Sequence, residues 1–429
     1  MIFKSLMRDQ QVSHIVVFFA CVAPAACSEP EGTDVPDYAR SVAPLLEQHC
    51  VGCHSAGMVA PFALETYADA RDFGPALVAA VQARTMPPWN PDNSGTCQSY
   101  SNARWMTDEE IATLAAWVDA GMPEGEPRGP LVAPAAEPLA LTVELGMTEP
   151  YTPAGTPEHP MDDYRCFVVP GFAAPTFVTG YQLSPGQLAQ VHHVIGYAVA
   201  DPATEASLAE RDAAAPGPGF PCFGGLADDV LGVFGWAPGS LGERYPAGVG
   251  VEVPAAGSLV LEVHYNLAAG TRPDLTRVAF EVAPQVEWPV LLFAYDDLAL
   301  RLDPGLAAAK HEHSFRFTDF GLDEPMLAFG VAPHMHTRGR TQRLVAERPD
   351  GASTCLMDVP RWDFHWQDVG LYTEPVPLGP DDLLRTTCTY DTRGDQAPIA
   401  WGEDTDDEMC LSTLLVARAN GRPWAELLE

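Results

Sequence analysis

The sequence predicts a multidomain chain: a small α-helical module at 34–126, followed by two antiparallel β-sandwich domains of jelly-roll type. Three observations predict it. At 429 residues the chain is longer than one ordinary core can serve. Its 41 prolines and 36 glycines cut it into short segments, with clear helical spacing at 37–49 and 107–120. From residue 139 onward, short alternating runs recur between Pro/Gly turns, the pattern of stacked antiparallel sheets.

The formal charge is −34, and only Lys4 and Lys310 are lysines. Such a surface repels nucleic acid and anionic lipid head groups, which excludes both as partners. Residues 1–27 read as an export signal: Lys4 and Arg8, the apolar run Ile15 to Ala20, then small residues. Cys27 after Ala25-Ala26 resembles a bacterial lipoprotein box, whose thiol is the lipid attachment point. Pro24 departs from that box, so simple cleavage after a small residue stays open. The expected location is the periplasm or cell envelope of a bacterium, soluble or lipid-anchored. Ten cysteines fit an oxidising destination. Beyond Cys21, Cys27, Cys50 and Cys53, six remain, and spacing alone does not pair them.

In the N-terminal module, Val42, Leu45, Leu46 and His49 recur at helical spacing and lead into CVGCH at 50–54. Cys-x-x-Cys-His is the c-type haem attachment pattern. Cys50 and Cys53 would bond the two vinyl groups, and His54 would ligate the iron. A redox dithiol or half a zinc site does not need the histidine directly after the second cysteine. Met86, ahead of two prolines in MPPW, is the candidate sixth ligand, with Met58 and Met106 as competitors. Thr107 and Glu110 form a capping box for a helix whose stripe is Ile111, Leu114, Ala115 and Val118, with Gly121 ending it. Helix, CxxCH, a loop with methionine and a closing helix together resemble a small class I-type cytochrome c. A Pro/Ala-rich linker at 127–140, within EGEPRGPLVAPAAEP, reads as a semi-extended spacer.

The two β domains are expected at 141–284 and 285–429, divided near PQVEWPV. In SLVLEVHYN, Leu259, Leu261, Val263 and Tyr265 fall on one face; Val260, Glu262, His264 and Asn266 fall on the other. His334 and His336 in PHMHTRGR sit two apart, so on a strand both imidazoles share a face. His192 and His193 are adjacent, and a regular strand would send them to opposite faces. Both reach one metal only at a strand end or a bulge. Met409 stands in DTDDEMC, too polar a setting for an ordinary core strand. Imidazole suits copper, and a thioether favours its reduced form over zinc. The HEH at 311–313 and His365 read as surface or packing histidines.

VHHVIGYAV, LEVHYN, PHMHTRGR and DEMC, in this order and at these separations, resemble the copper type II ascorbate-dependent monooxygenases over roughly 160–415. The resemblance implies two β-sandwich domains, each carrying one copper and facing the other across an open cleft. It implies His192, His193 and His264 for an electron-transfer copper, and His334, His336 and Met409 for an oxygen-binding one. Cys388 with Cys410 would match a family disulfide, and Cys166 with Cys222 another. Cys97 and Cys355 are left over; a bond between them would tie the helical module to the copper domains. In the peptide-hydroxylating member an arginine and a tyrosine grip substrate where this chain has Ala332 and Thr413, which argues against a peptidylglycine substrate. Arg338 and Arg340 stand nearby in sequence.

The expected function is hydroxylation of a C–H bond of a small organic molecule by O₂, using two copper ions. Haem c would receive electrons from a periplasmic donor, in place of or beside an ascorbate-like reductant. A non-catalytic haem and copper electron-transfer protein, or a copper-handling protein, fits the same ligands. A haem-tethered binding module with incidental histidines is the third reading.

Overall fold

The computed structural model describes residues 35–428 except 57, 59, 135–137, 158, 223–225, 227–229, 238–241 and 256. The expected signal at 1–27, with Cys27, lies outside the described residues.

The first helix matches expectation, with one turn wound differently. Asp37 caps a π-helical turn, Tyr38–Val42, that runs into α1, Ala43–His49, and the helix stops at Cys50. A second helix, α2 (Tyr67–Gln82), occupies a stretch where the sequence predicted a loop. Pro75 lies inside it, and an internal proline removes a helix hydrogen bond. The Thr66/Asp69 capping box and the packing of α2 on the last helix outweigh that loss. A Cβ on Gly74 would sit 2.6 Å from the Met122 sulfur, so a side chain there would have to displace the end of Met122. That last helix, α3 (Asp108–Asp119), has the expected Thr107/Glu110 box, but Trp117 rather than Ala115 or Val118 completes its buried stripe.

The 127–140 stretch is not a free spacer. Leu131 is buried in the helical core, its N–H donates to the Glu65 carbonyl (2.7 Å), and Arg128 pairs with Glu47. Its apolar side chains gain more from burial than the proline-rich backbone does from staying solvated.

The remainder is β structure with one further helix of length, α4 (Pro202–Ala214). A nine-stranded sheet runs through both halves. Its main path is Val143–Gly146, Arg277–Ala283, Thr176–Ser184, Val249–Val253, Trp288–Tyr295, Leu411–Arg418, Met326–His334 and Gly370–Leu378. The halves meet where Val249–Val253 and Trp288–Tyr295 pair in parallel, Trp288 opposite Val249 and Val290 opposite Val251. A five-stranded sheet centred on Asp162–Pro170, Ser258–Asn266 and Val191–Val199 belongs to the first half. A four-stranded sheet (Ala309–Phe315, Leu383–Tyr390, Gly339–Glu347, Ser353–Val359) belongs to the second. The result is mostly β, with sandwich-like layers around two cores.

The Ser258–Asn266 strand shows why its alternation was informative. Leu259, Leu261, Val263 and Tyr265 enter the first core, while Glu262 and His264 turn to the opposite face. Residues 88–105 then tie the helical module to the second half. Trp89 and Tyr100 are members of the second core, Tyr100 bridges to Tyr372, and Cys97 is bonded to Cys355.

Candidate metal centre

The five-stranded sheet gathers His192, His193 and His264. Pairing between Val191–Val199 and Ser258–Asn266 slips between Val191 and His193, so His193 stands opposite His264. That irregularity lets adjacent histidines turn toward one point, as the dyad required. The His192 and His193 Nδ1 atoms are 3.3 Å apart, and those of His193 and His264 are 3.4 Å apart. Three nitrogens on a metal at about 2.0–2.1 Å in a trigonal plane would be separated by about 3.5 Å. Without a cation or proton between them, the converging lone pairs repel.

Protonation fits the same reading. His264 Nε2 lies 2.7 Å from Asp162 Oδ1, which also accepts from the Thr405 hydroxyl at 3.0 Å. A proton held on Nε2 by that carboxylate leaves Nδ1 as the lone-pair donor. Burial, reinforced by neighbouring imidazoles, lowers the histidine pKa values: His192 to about 4, with His193 and His264 well below the ordinary value. All three are neutral near pH 7, as metal ligands must be.

The second set lies where two strands of the large sheet end. His334 closes Met326–His334, paired with Leu411 at the start of Leu411–Arg418, and Met409 precedes that start by two residues. His334 Nδ1 meets the Gln367 amide oxygen at 2.6 Å, and His336 Nδ1 meets the Asp407 carbonyl at 3.2 Å. Both contacts leave Nε2 free to donate. Burial lowers His334 and takes His336 down to about 3. Met409 is 8 % exposed. Its backbone is fixed by the Cys388–Cys410 bond and by the Tyr390 hydroxyl, which donates to its carbonyl at 2.8 Å.

Buried Glu408 anchors the whole turn, accepting from the His336 N–H (2.9 Å) and the Arg338 N–H (2.7 Å). Neither Glu408, Gln367 nor Asp162 was singled out in the sequence, since nothing in their local patterns separates them from other polar residues.

A pocket of about 340 Å³ is lined by His193, His334, His336 and Met409 together. The resemblance implied an open cleft between the two sets, but the His193 and His334 rings are only 6.4 Å apart. The five-stranded sheet and the end of the Met326–His334 strand of the large sheet face the same pocket. Ala332 and Thr413 face each other across the Met326–His334 and Leu411–Arg418 pair and both line the pocket. Arg338 is committed to Asp395, and Arg340 to the Gly339 carbonyl and Asp391, so neither enters. Among the described residues the lining holds no Arg or Lys, while Glu262, Asp296, Asp368 and Glu403 contribute carboxyl groups. Burial and Glu403 push Glu262 up to about 8.

Residues 314–416 match the family copper type II ascorbate-dependent monooxygenase, C-terminal domain. That span contains His334, His336 and Met409. Curated relatives carry the same likeness further along the chain. The DBH-like monooxygenase protein 1 of Gallus gallus is 27% identical over 203 residues, 43% of this chain and 32% of that protein. Dopamine beta-hydroxylase of Bos taurus is 28% identical over 196 residues, 41% and 31% respectively. Tyramine beta-hydroxylase of Caenorhabditis briggsae is 25% identical over 249 residues, 54% and 40%. The chain thus spans about a third of the length of the first two relatives.

In the helical module, Cys50 and Cys53 are free thiols on a turn in which the Cys53 and His54 N–H groups both donate to the Cys50 carbonyl. His54 Nδ1 lies 3.1 Å from the Phe62 carbonyl. A carbonyl accepts only, so the proton sits on Nδ1 and Nε2 is free, the tautomer an iron ligand needs. Met86, on the turn after α2, is 37% exposed; Met106 is buried in the helical core.

The six cysteines left unpaired by spacing form three disulfides: Cys97–Cys355, Cys166–Cys222 and Cys388–Cys410. They fit an oxidising compartment. His313 is packed, meeting the Cys410 carbonyl at 2.7 Å, and His365 is exposed.

Proposed function

We propose that this chain is a copper-dependent monooxygenase that hydroxylates a C–H bond of a small organic molecule. The observation that carries the reading is the convergence of three Nδ1 atoms at a strand irregularity, beside a His-x-His turn and a fixed methionine. His192, His193 and His264 would hold one copper; His334, His336 and Met409 would hold the other. Bound copper supplies one-electron chemistry and O₂ activation, as in the family that the second half matches. The protein's own part is to keep the imidazoles neutral, orient them through Asp162, Gln367 and the Asp407 carbonyl, and seat substrate beside both sets. With Ala332 and Thr413 on the wall and no Arg or Lys among the described lining residues, the pocket favours a substrate without a carboxylate handle.

Cys50 and Cys53 would attach haem c, with His54 on the iron and Met86 as the candidate opposite ligand. The attached group would supply electrons from an envelope donor, with ascorbate-like reductants as the alternative source. Export to a bacterial periplasm, with lipid on Cys27, completes the reading.

Copper and iron analysis of the haem-matured protein tests this, paired with oxygen-dependent product formation across a substrate panel. Two coppers per iron and hydroxylated product are expected. Two coppers without product from any substrate would leave an electron-transfer or copper-handling protein, and no copper would defeat the reading.

A further inference from the structure

The connection 360–369, between Ser353–Val359 and Gly370–Leu378, touches both histidine sets. The Phe364 ring stacks on His192, with centroids 4.6 Å apart and planes 24° from parallel. The Trp362 indole N–H donates to the His336 carbonyl at 3.1 Å. Gln367 meets His334 Nδ1, and Gln367, Asp368 and Val369 line the shared pocket. A ten-residue loop between strands has few backbone partners of its own, so its polar groups need them from elsewhere.

They come from the helical module. Asn90 donates through Nδ2 to the carbonyls of Asp363 (3.2 Å) and Trp366, and accepts from the Asp363 N–H at 2.9 Å. Asn102 donates to the Val369 carbonyl at 2.8 Å and accepts from the Leu371 N–H at 2.9 Å. Arg104 pairs with Asp368, while its Nε donates to the Pro88 carbonyl at 3.0 Å. Three side chains of one segment thus grip the loop in its middle and at its end.

We infer that Asn90, Asn102 and Arg104 are positioning residues for the candidate copper sites: the helical module clamps the 360–369 loop, and the loop sets His334 and His192. This rests on reading the two histidine sets as copper sites. It gives the module a role beyond any electron supply, and Asn90 reads that role by itself, because Asn102 and Arg104 also line the pocket beside Cys53.

The test uses full-length, haem-matured protein carrying His264→Ala, so that only the Met409-side copper is read. Asn90→Ala, Asn102→Ala and Arg104→Leu are each added, with Arg104→Lys as the conservative rescue. Gln98→Ala is the control. Gln98 lies in the same segment and donates to the Cys355 carbonyl at 2.7 Å, away from the loop. The readouts are the Cu(II) EPR spectrum and Cu(I) affinity. The clamp predicts altered hyperfine coupling and a roughly tenfold weaker affinity in the three variants, the scale of losing an outer partner of a metal ligand. Arg104→Lys recovers part of it, and Gln98→Ala matches the parent. Asn90→Ala, the mildest change, decides the matter if Arg104→Leu does not fold. Unchanged spectra and affinities in all three variants would overturn the clamp, as would an equal change in Gln98→Ala. No copper in the parent, together with none in the protein retaining His264, would overturn the copper reading itself.

Discussion

The two histidine sets solve one problem in opposite ways. His192, His193 and His264 are carried on paired strands inside a sheet, and a single slip in register aims them. His334, His336 and Met409 lie at strand ends, and a disulfide, Glu408, Gln367 and a neighbouring loop hold them. The first set is rigid because of where its backbone runs. The second is held in place by side chains that could be exchanged singly.

The sharpest way to break the comparison is to remove a ligand. His193→Ala should abolish binding at the three-nitrogen set and halve copper stoichiometry from two to one, by metal analysis after dialysis. Met409→Ala should keep both coppers at high loading. Its Cu(I) affinity on that side should fall by more than the roughly 10–100-fold that loss of an outer partner costs, measured by competition with a Cu(I) chelator. Asp162→Ala should weaken the first set by about 10–100-fold, the scale for an oriented carboxylate–histidine pair. It should also cost about 1–3 kcal/mol of stability in urea unfolding for the unpaired His264 Nε2.

The smallest expected effect is on pH dependence. His192 and His336 ionise near 4 and 3 when folded, against an ordinary value of 6.5. The unfolded chain therefore takes up protons first. The contribution of these two imidazoles to the stability of the metal-free protein should be flat above about pH 7 and fall as pH drops from about 6.5 toward 3. Buried Glu262 and Glu243, both raised to about 8, act in the opposite sense from about pH 4.5 upward. His192→Gln should flatten the acid limb of that profile, and an unchanged acid limb would contradict the burial of His192.

Much of this was legible in residues whose pattern carries its own geometry. The alternation of SLVLEVHYN placed His264 on the face away from the core, and the adjacency of His192 and His193 required the bulge that is present. The Thr107/Glu110 box marked its helix. What could not be read depends on contacts between distant segments. α2 contains Pro75 and is supported by packing on α3, a contact between separate segments. Asp162 lies 102 residues from the His264 it orients, and Gln367 lies 33 from His334. Leu131 sits in a stretch whose composition describes a spacer. Arg338 and Arg340, close to His336 in sequence, are turned away by Asp395 and Asp391. Proximity along the chain was a poor guide to which charges reach the pocket.

The parallel pairing of Val249–Val253 with Trp288–Tyr295 makes the large sheet one span across both halves. The His334 strand lies in it, and the five-stranded sheet that carries His192, His193 and His264 packs on it through the first core. Strand residues advance by about 3.3 Å and alternate faces. Inserting or deleting one residue in the 284–287 connection would therefore force a choice between looping out locally and resetting the register of the second half against the first. The two halves cannot be recombined with those of another protein as independent parts. A chimaera would have to preserve that register as carefully as the ligands themselves.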